Sequence, residues 1–516
     1  MSHGTSAATL ERPTTQVGEP PGVLARVWRD RRLALLVVVT VVAAAALVAG
    51  WLTPRGPLTP QQVIVTTLAM LAVGALSGLL LGSRWSLLLA PVVFVAVFEL
   101  ARLGTAGATV DGIHLTSTYG LFAFVAGRVA HGLMVLPALV VGAAHGVWSA
   151  RRLGHPTAPA PGIPAVVFIV LGTIGVAALA VALVLPGTTP PILGPDGRPL
   201  AGSISELVSV EIGGVEQVIL LRGRDIDNPV LLHLAGGPGG TDLGAMRADT
   251  DLETDFVVAT WEQRGTGKSY ATSIDPVEQL TLEQAVADTL EVVAYLQQRF
   301  GQERVYLSAN SWGTIPGVLA VQRSPESFHA YVGTGQMVNN RLTDQMFHED
   351  ALAWAEETGN DALAQRIREA GPPPYDDLLD YEYTVSYEHQ WNAYPGVDEL
   401  WEMPFNTFVA ENSLLDRINA LRGMFDVNYF VYPQLQDHDF RRDAPRLDVP
   451  VYLVLGQYEA RGRAVLADEW FDLLDAPSKQ RIVFEDSGHR PSFEQPADFA
   501  DLLRDVAATT GNAQRP

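Results

Sequence analysis

The sequence predicts two bodies of different class: an all-α membrane region of about five helices, followed by an α/β domain built on a largely parallel sheet. Three observations carry this reading. Between residues 33 and 186, uncharged apolar runs recur at membrane-spanning length. From Ser205 onward, short apolar strands alternate with helical patterns, as expected of parallel strands joined by crossover helices. Residues 304–317, RVYLSANSWGTIPG, read as a buried strand, a tight turn and a helix, with Ser311 at the apex.

Charge divides the chain in the same place. Residues 1–187 hold 11 Lys and Arg against 5 Asp and Glu, and the remainder holds 24 against 52. So acidic a domain is a poor partner for nucleic acid. There is no cysteine, which excludes disulfides, thiolate metal sites and a cysteine nucleophile.

Taken in order, residues 1–32 are polar and proline-containing, with RVWRDRR just before the first apolar run, and read as a disordered cytoplasmic tail. Residues 33–186 form the transmembrane region, with candidate spans at Leu33–Leu52, Val63–Gly82, Trp85–Leu100, Tyr119–Trp148 and Ala165–Leu185. The first is too long for a signal-peptide core and should stay in the membrane. In the second, Gly74 and Gly78 have the G-x-x-x-G spacing that lets two helices approach closely. Glu99, Arg128 and His131 lie in or beside spans, Arg128 either near an interface or paired with Glu99. Arginines mark the tail and the Arg151–Arg152 loop as cytoplasmic. With an odd number of crossings, the acidic C-terminal domain then lies outside the cytoplasm, in a multi-pass protein of the cell membrane.

Residues 187–204 are rich in proline and glycine and read as an exposed linker. The α/β core occupies residues 205–336 and resumes at 449–511. It opens with ELVSVEI and VEQVILLR joined at Gly213-Gly214, a two-residue hairpin turn. PVLLHLAG and DFVVATWE are further strands, and Leu282–Phe300 has helical spacing. Residues 337–448, helical in pattern and rich in aromatics and acids, are a cap by position.

Ser311 is a candidate nucleophile because a strand turned sharply into a helix projects its central residue towards a base. Ala309 and Gly313 are the small neighbours such a turn needs, although an ordinary strand-to-helix loop could carry the same five residues. AGGPGG, Ala235–Gly240, could aim backbone N–H groups at a developing oxyanion, or could be only a tight loop. RGTGKS, Arg264–Ser269, is no phosphate-binding loop, since Glu262 stands where that motif needs glycine. His438 in DHD lacks a ligand set for a metal.

In this order around the serine, the GGPGG loop, WEQRGTGKS, the SWG elbow and SGHRPSFEQP resemble the α/β-hydrolase superfamily, and within it the proline iminopeptidase-like serine hydrolases. The resemblance spans roughly residues 205–511. Ala235 stands where the family usually has histidine, Glu262 where it has aspartate and Ala309 where it has glycine; none of these removes a reacting group. The resemblance implies an α/β-hydrolase fold with a helical cap, and a triad in the order nucleophile, acid, histidine. That order points to Ser311, Glu459 after the strand VPVYLVLG, and His489 after the strand RIVF. An exposed loop glutamate is the plain alternative for Glu459. The N–H of Trp312, with that of Gly237 or Gly236, would hold the oxyanion.

An acyl-enzyme mechanism on these residues requires neither metal nor organic cofactor. The expected partners are a small peptide or acyl-ester substrate and the lipid bilayer. Three functions fit: an aminopeptidase of proline iminopeptidase type, an esterase or lipase at the membrane surface, and a membrane-anchored domain that only binds. The acids of HEDALAWAEE and YDDLLDYEYTVSYEH favour the first, as receivers of a substrate ammonium, and read equally well as solvated helix faces. WNAYP, LWEMPFNTF and MFDVNYFVYP would line an acyl pocket and favour the second. An intact Ser311, Glu459 and His489 set argues against the third.

Overall fold

The computed structural model describes residues 22–375, 378–395 and 406–511. It forms two compact units. The first comprises Met1–Pro57, Gln61–Leu103 and Gly132–Val181; the second comprises Leu58–Pro60, Gly104–His131 and Ala182–Pro516.

Apolar helices dominate the first unit. Arg31–Leu52, Pro60–Leu81, Thr118–Arg152 and Ile163–Val184 are long and apolar enough to cross a membrane. The third of the five expected spans is shorter: helix Ser86–Ala101 has 16 residues, or about 24 Å at the α-helical rise. Gly74 and Gly78 do meet a second helix, since a Cβ on either would stand within 2.1 Å of the carbonyl oxygens of Leu139 and Ala143. Gly142 and Gly146 face back in the same way, towards Leu71 and Ala75. Only glycine on both sides permits so close an approach of two backbones.

The disordered tail expected over residues 1–32 is helical where described, and residues 1–21 lie outside the described residues. Gly22–Arg29 is a helix, and the next begins at Arg31. Asp30 causes the restart: its carboxylate accepts from the N–H groups of Arg32 and Leu33, which have no intrahelical partner. Trp28 is buried and donates its indole N–H to Leu79 O at 3.1 Å, so the short helix is also held by packing.

The second unit is built on a mixed eight-stranded sheet. Its strands are β1 (Ile204–Ile212), β2 (Val215–Gly223), β3 (Val230–Leu234), β4 (Val257–Glu262), β5 (Val305–Asn310), β6 (Phe328–Thr334), β7 (Val451–Gly456) and β8 (Lys479–Phe484). They lie in the order β1-β2-β4-β3-β5-β6-β7-β8. The pairs β1–β2 and β2–β4 are antiparallel and all others parallel. The hairpin turns at Gly213-Gly214, both at positive φ. Strands β3 to β7 are covered on both faces, which explains their near-continuous apolar runs. One covering helix, Leu282–Phe300, is capped by the Thr281 hydroxyl at its start and ends at Gly301 with φ +65°.

The exposed linker expected over residues 187–204 is instead bound to the second unit at its start. Thr188 N–H donates to Ala410 O at 2.9 Å, and the buried Arg222 guanidinium reaches Thr189 Oγ1 and Pro190 O, both at 2.8 Å. A buried guanidinium requires acceptors, and this segment supplies two of them. Between β6 and β7 lies the cap, whose helices include Asn340–Glu357, Asp361–Ala370 and Leu414–Val431. Asp376 and Asp377 of YDDLLDYEYTVSYEH, and most of LWEMPFNTF, lie outside the described residues.

Candidate active site

Strand β5 ends at Asn310, residues 311–313 form a single tight turn, and helix Thr314–Arg323 follows. Ser311 has φ +51°, and among the described residues it is the only non-glycine residue with positive φ. Such a backbone costs on the order of 1–3 kcal/mol and persists where its surroundings hold it. Here Thr314 Oγ1 donates to Ser311 O at 2.6 Å. At Gly313 any Cβ would lie 2.4 Å from Leu234 O, so the turn closes against β3 only because no side chain is there.

Three sequence-predicted residues, separated in the chain, meet at the carboxyl ends of β5, β7 and β8. The Ser311 Oγ and His489 Nε2 are 2.9 Å apart, and His489 Nδ1 is 2.9 Å from Glu459 Oε2. The second Glu459 oxygen accepts from Arg463 Nε at 2.7 Å and from Ala460 N–H at 2.9 Å. Burial pushes the Glu459 carboxyl up, but Arg463 and His489 outweigh it and hold it at about 2. A fixed carboxylate on one side of an imidazole, with a hydroxyl on the other, can orient the ring, take the hydroxyl proton and stabilise the resulting cation.

Beside the hydroxyl runs the loop after β3. A Cβ on Gly236 would stand 3.2 Å from Ser311 Cβ. The Gly236 N–H, however, donates to Asp242 Oδ2 at 3.3 Å, so of the two glycines expected as oxyanion donors this one is already engaged. The loop is tied down from below: Gln263 donates to Ala235 O at 3.1 Å and accepts from the Trp312 indole at 3.0 Å. Glu262, at the position where the resemblance expects aspartate, is buried and accepts from Thr241 Oγ1 and Lys268 N–H, which fixes the 262–269 turn.

Several site residues carry no sequence signal. Asp242 accepts from Arg490 Nη2 at 2.6 Å and lies 3.1 Å from His233 Nε2. Burial pushes the Asp242 carboxyl up, but Arg490 and His233 prevail and hold it below its usual range. This carboxylate thus joins the loop bearing Gly236 to the residue after His489. Arg463, besides holding Glu459, forms an ion pair with Glu388 of the cap. The pairings of Asp242 with Arg490 and of Arg463 with Glu388 join residues 248 and 75 positions apart, whereas Arg463 lies one helical turn beyond Glu459 and Asp242 nine residues beyond His233. Among the described residues, no cluster of three His, Asp or Glu side chains is arranged to hold a metal ion.

Several of the described cap acids are engaged as well. Asp344 accepts from Tyr432 Oη at 2.6 Å and Gln436 Nε2 at 3.0 Å, and burial raises its carboxyl to about 7 despite those bonds. Glu411 pairs with Arg247 and Asp416 with Lys268.

Comparison with known proteins bears on the same region. A family model described as the alpha/beta hydrolase family matches residues 230–502, more than half of the chain. The probable aminopeptidase YbaC of Bacillus subtilis is 29% identical over 314 residues, covering 58% of this chain and 96% of that protein. A probable proline iminopeptidase of Leptolyngbya boryana is 21% identical over 273 residues, covering 50% of this chain and 80% of that protein. Among solved structures, proline iminopeptidase from Mycobacterium smegmatis is similar at a TM-score of 0.40 and 19% identity, over 60% of this chain and 100% of that one. The match over both parts of the core, on either side of the cap, agrees with the order of β5, β7 and β8, and the chain belongs to the alpha/beta hydrolase family.

Proposed function

We propose that this protein is a membrane-tethered serine hydrolase in which Ser311, His489 and Glu459 act as nucleophile, base and orienting acid. The observation that carries the reading is the line of two 2.9 Å hydrogen bonds from Ser311 Oγ through His489 to Glu459, starting from a serine at φ +51°. His489 Nε2 takes the proton as Ser311 Oγ attacks the substrate carbonyl, and returns it to the leaving group as the acyl-enzyme forms. Water, deprotonated by the same nitrogen, then releases the acid. The N–H groups of Trp312 and Gly237 hold the oxyanion, since that of Gly236 faces Asp242.

For the substrate we propose a small peptide with a free amino terminus, as an aminopeptidase of proline iminopeptidase type would take. The curated relatives named aminopeptidase and proline iminopeptidase support this. One observation favours a second reading, an esterase acting on acyl esters at the membrane surface. The acidic cap was the sequence argument for an ammonium site, yet Asp344, Glu388, Glu411 and Asp416 each have a protein partner. An aminoacyl amide, its N-acetylated form and a short acyl ester separate the two. Turnover confined to the free amine supports the peptidase, whereas equal turnover of both amides, or much faster ester cleavage, leaves the esterase.

We also propose five crossings, with the hydrolase domain outside the cytoplasm. Leu58–Pro60, Gly104–His131 and Ala182–Pro516 belong to one compact unit, which supports a common side of the membrane for them. If Pro60–Leu81 crosses, Ser86–Ala101 must cross back, and a helix short of the roughly 30 Å hydrocarbon core can do so by local thinning. The arginine-rich N-terminal segment then faces the cytoplasm.

A further inference from the structure

Residues Gly104–His131 follow the apolar helix Ser86–Ala101 and include the first turns of helix Thr118–Arg152, yet they fold as part of the second unit. Their attachment runs through buried charge. Thr109 donates its N–H at 2.9 Å and its hydroxyl at 2.8 Å to the two oxygens of Asp426, and Tyr270 Oη adds a bond at 2.7 Å. Arg422 Nε donates to Ala126 O at 3.1 Å. The N–H groups of Thr118 and Tyr119 donate to the two oxygens of Glu382 at 2.8 and 2.7 Å. Thr109, Arg422 and Asp426 are fully buried, and Ala108, Ala123 and Phe425 pack together beside them. Arg128, weighed above for a place in the membrane, donates to the carbonyls of Val110, Asp111 and Gly112, folding this segment on itself. Buried carboxylates and guanidinium groups that lose such partners are costly, so this is a built joint and not incidental contact.

Helix Leu414–Val431, which carries Arg422 and Asp426, also presses on the active-site loop. A Cβ on Gly239 would stand 2.3 Å from Gly423 O, and one on Gly423 would stand 2.5 Å from Gly265 O. Backbone therefore approaches backbone at two points, one on the Ala235–Gly240 loop and one on the 262–269 turn beneath it, so the position of the helix bears on that of the loop.

We propose that residues 104–131 are a positioning element of the active site: by gripping helix 414–431 at Arg422 and Asp426, they set where the Gly237 N–H stands beside Ser311. The proposal rests on the serine hydrolase reading, and makes turnover depend on a segment inserted between two membrane helices. The C-terminal domain is then not an independent enzyme on a tether.

The test uses the full-length chain with Thr109→Val, which removes the hydroxyl at nearly constant shape, and Thr109→Ser, which keeps it. Thr109→Val is expected to lower kcat roughly tenfold, with KM within about twofold, and Thr109→Ser to restore it. Hydrogen exchange should quicken in residues 414–431 and 235–240. Should Thr109→Val not fold, Asp426→Asn decides: it keeps the side-chain shape on helix 414–431 while replacing one of the two oxygens that accept from Thr109 by a donor. The same kcat loss and exchange pattern are expected. An unchanged kcat per fluorophosphonate-labelled site, or exchange confined to residues 104–131, overturns the proposal. Failure of the wild-type chain to hydrolyse any ester or amide would instead overturn the hydrolase reading, and the exchange pattern would still decide whether this segment holds the loop.

Discussion

Replacing Arg463 by methionine removes the cation that bridges Glu459 and Glu388, at nearly constant side-chain length. In the native fold the Glu459 carboxyl sits at about 2 against an ordinary 4.5. A depression of that size is worth about 3 kcal/mol at 1.36 kcal/mol per unit. The folded value lies below the unfolded one. The contribution is therefore fully present above pH 4.5 or so and disappears as pH falls towards about 2. Without Arg463, two carboxylates share a buried site with only His489 and Ala460 N–H left on Glu459, so the variant should lose about 3–5 kcal/mol at neutral pH. Its acid unfolding should also begin at higher pH. Adding Glu388→Gln removes the second carboxylate and should recover part of the loss. Thermal unfolding of the full-length protein between pH 3 and 8 measures all three chains. An Arg463→Met protein with wild-type stability at pH 7 and the same acid profile would refute the reasoning.

Three further outcomes are expected. Asp242→Asn removes the charge facing Arg490 and loosens the loop at Gly236, so kcat should fall roughly tenfold with KM little changed, checked by steady-state kinetics. Gly313→Ala places a methyl 2.4 Å from Leu234 O, which should destabilise the fold by about 1–3 kcal/mol and abolish serine labelling, measured by melting and by a fluorophosphonate probe. Because the chain has no cysteine, single cysteines report sidedness cleanly. With five crossings, an impermeant maleimide on intact cells should label Thr116→Cys and leave Ala160→Cys unlabelled.

How much of this was legible in the sequence depends on how local each feature is. The elbow at Ser311 could be read because the strand, the small residues and the turn are contiguous. The Gly213-Gly214 hairpin and helix Leu282–Phe300 were readable for the same reason, and their bounds agree with the structure. Glu459 and His489 needed the order of strands as well as local pattern, and that order came from the resemblance. Composition misled at the ends of the membrane region. Proline and glycine made residues 187–204 look like a free tether, whereas the need of Arg222 for acceptors binds their start to the core. Arginines made residues 22–32 look disordered, although Asp30 and Trp28 hold them as helix. The joints from Asp242 to Arg490, Arg463 to Glu388 and Asp426 to Thr109 were invisible, because 248, 75 and 317 positions separate their partners. No periodicity or spacing encodes such pairs; only the folded sheet and cap bring them together.

The central claim is that Ser311 is the nucleophile of an acyl-transfer site, and covalent labelling tests it most directly. Full-length protein is treated with a fluorophosphonate, digested, and the adduct located by mass spectrometry, alongside Ser311→Ala and His489→Ala. The adduct should lie on Ser311, vanish in Ser311→Ala and form far more slowly in His489→Ala. Turnover in the Ser311→Ala protein should fall by a factor on the order of 10⁴ to 10⁶. An adduct on another residue, or a folded Ser311→Ala protein that hydrolyses substrate at the wild-type rate, would contradict the account.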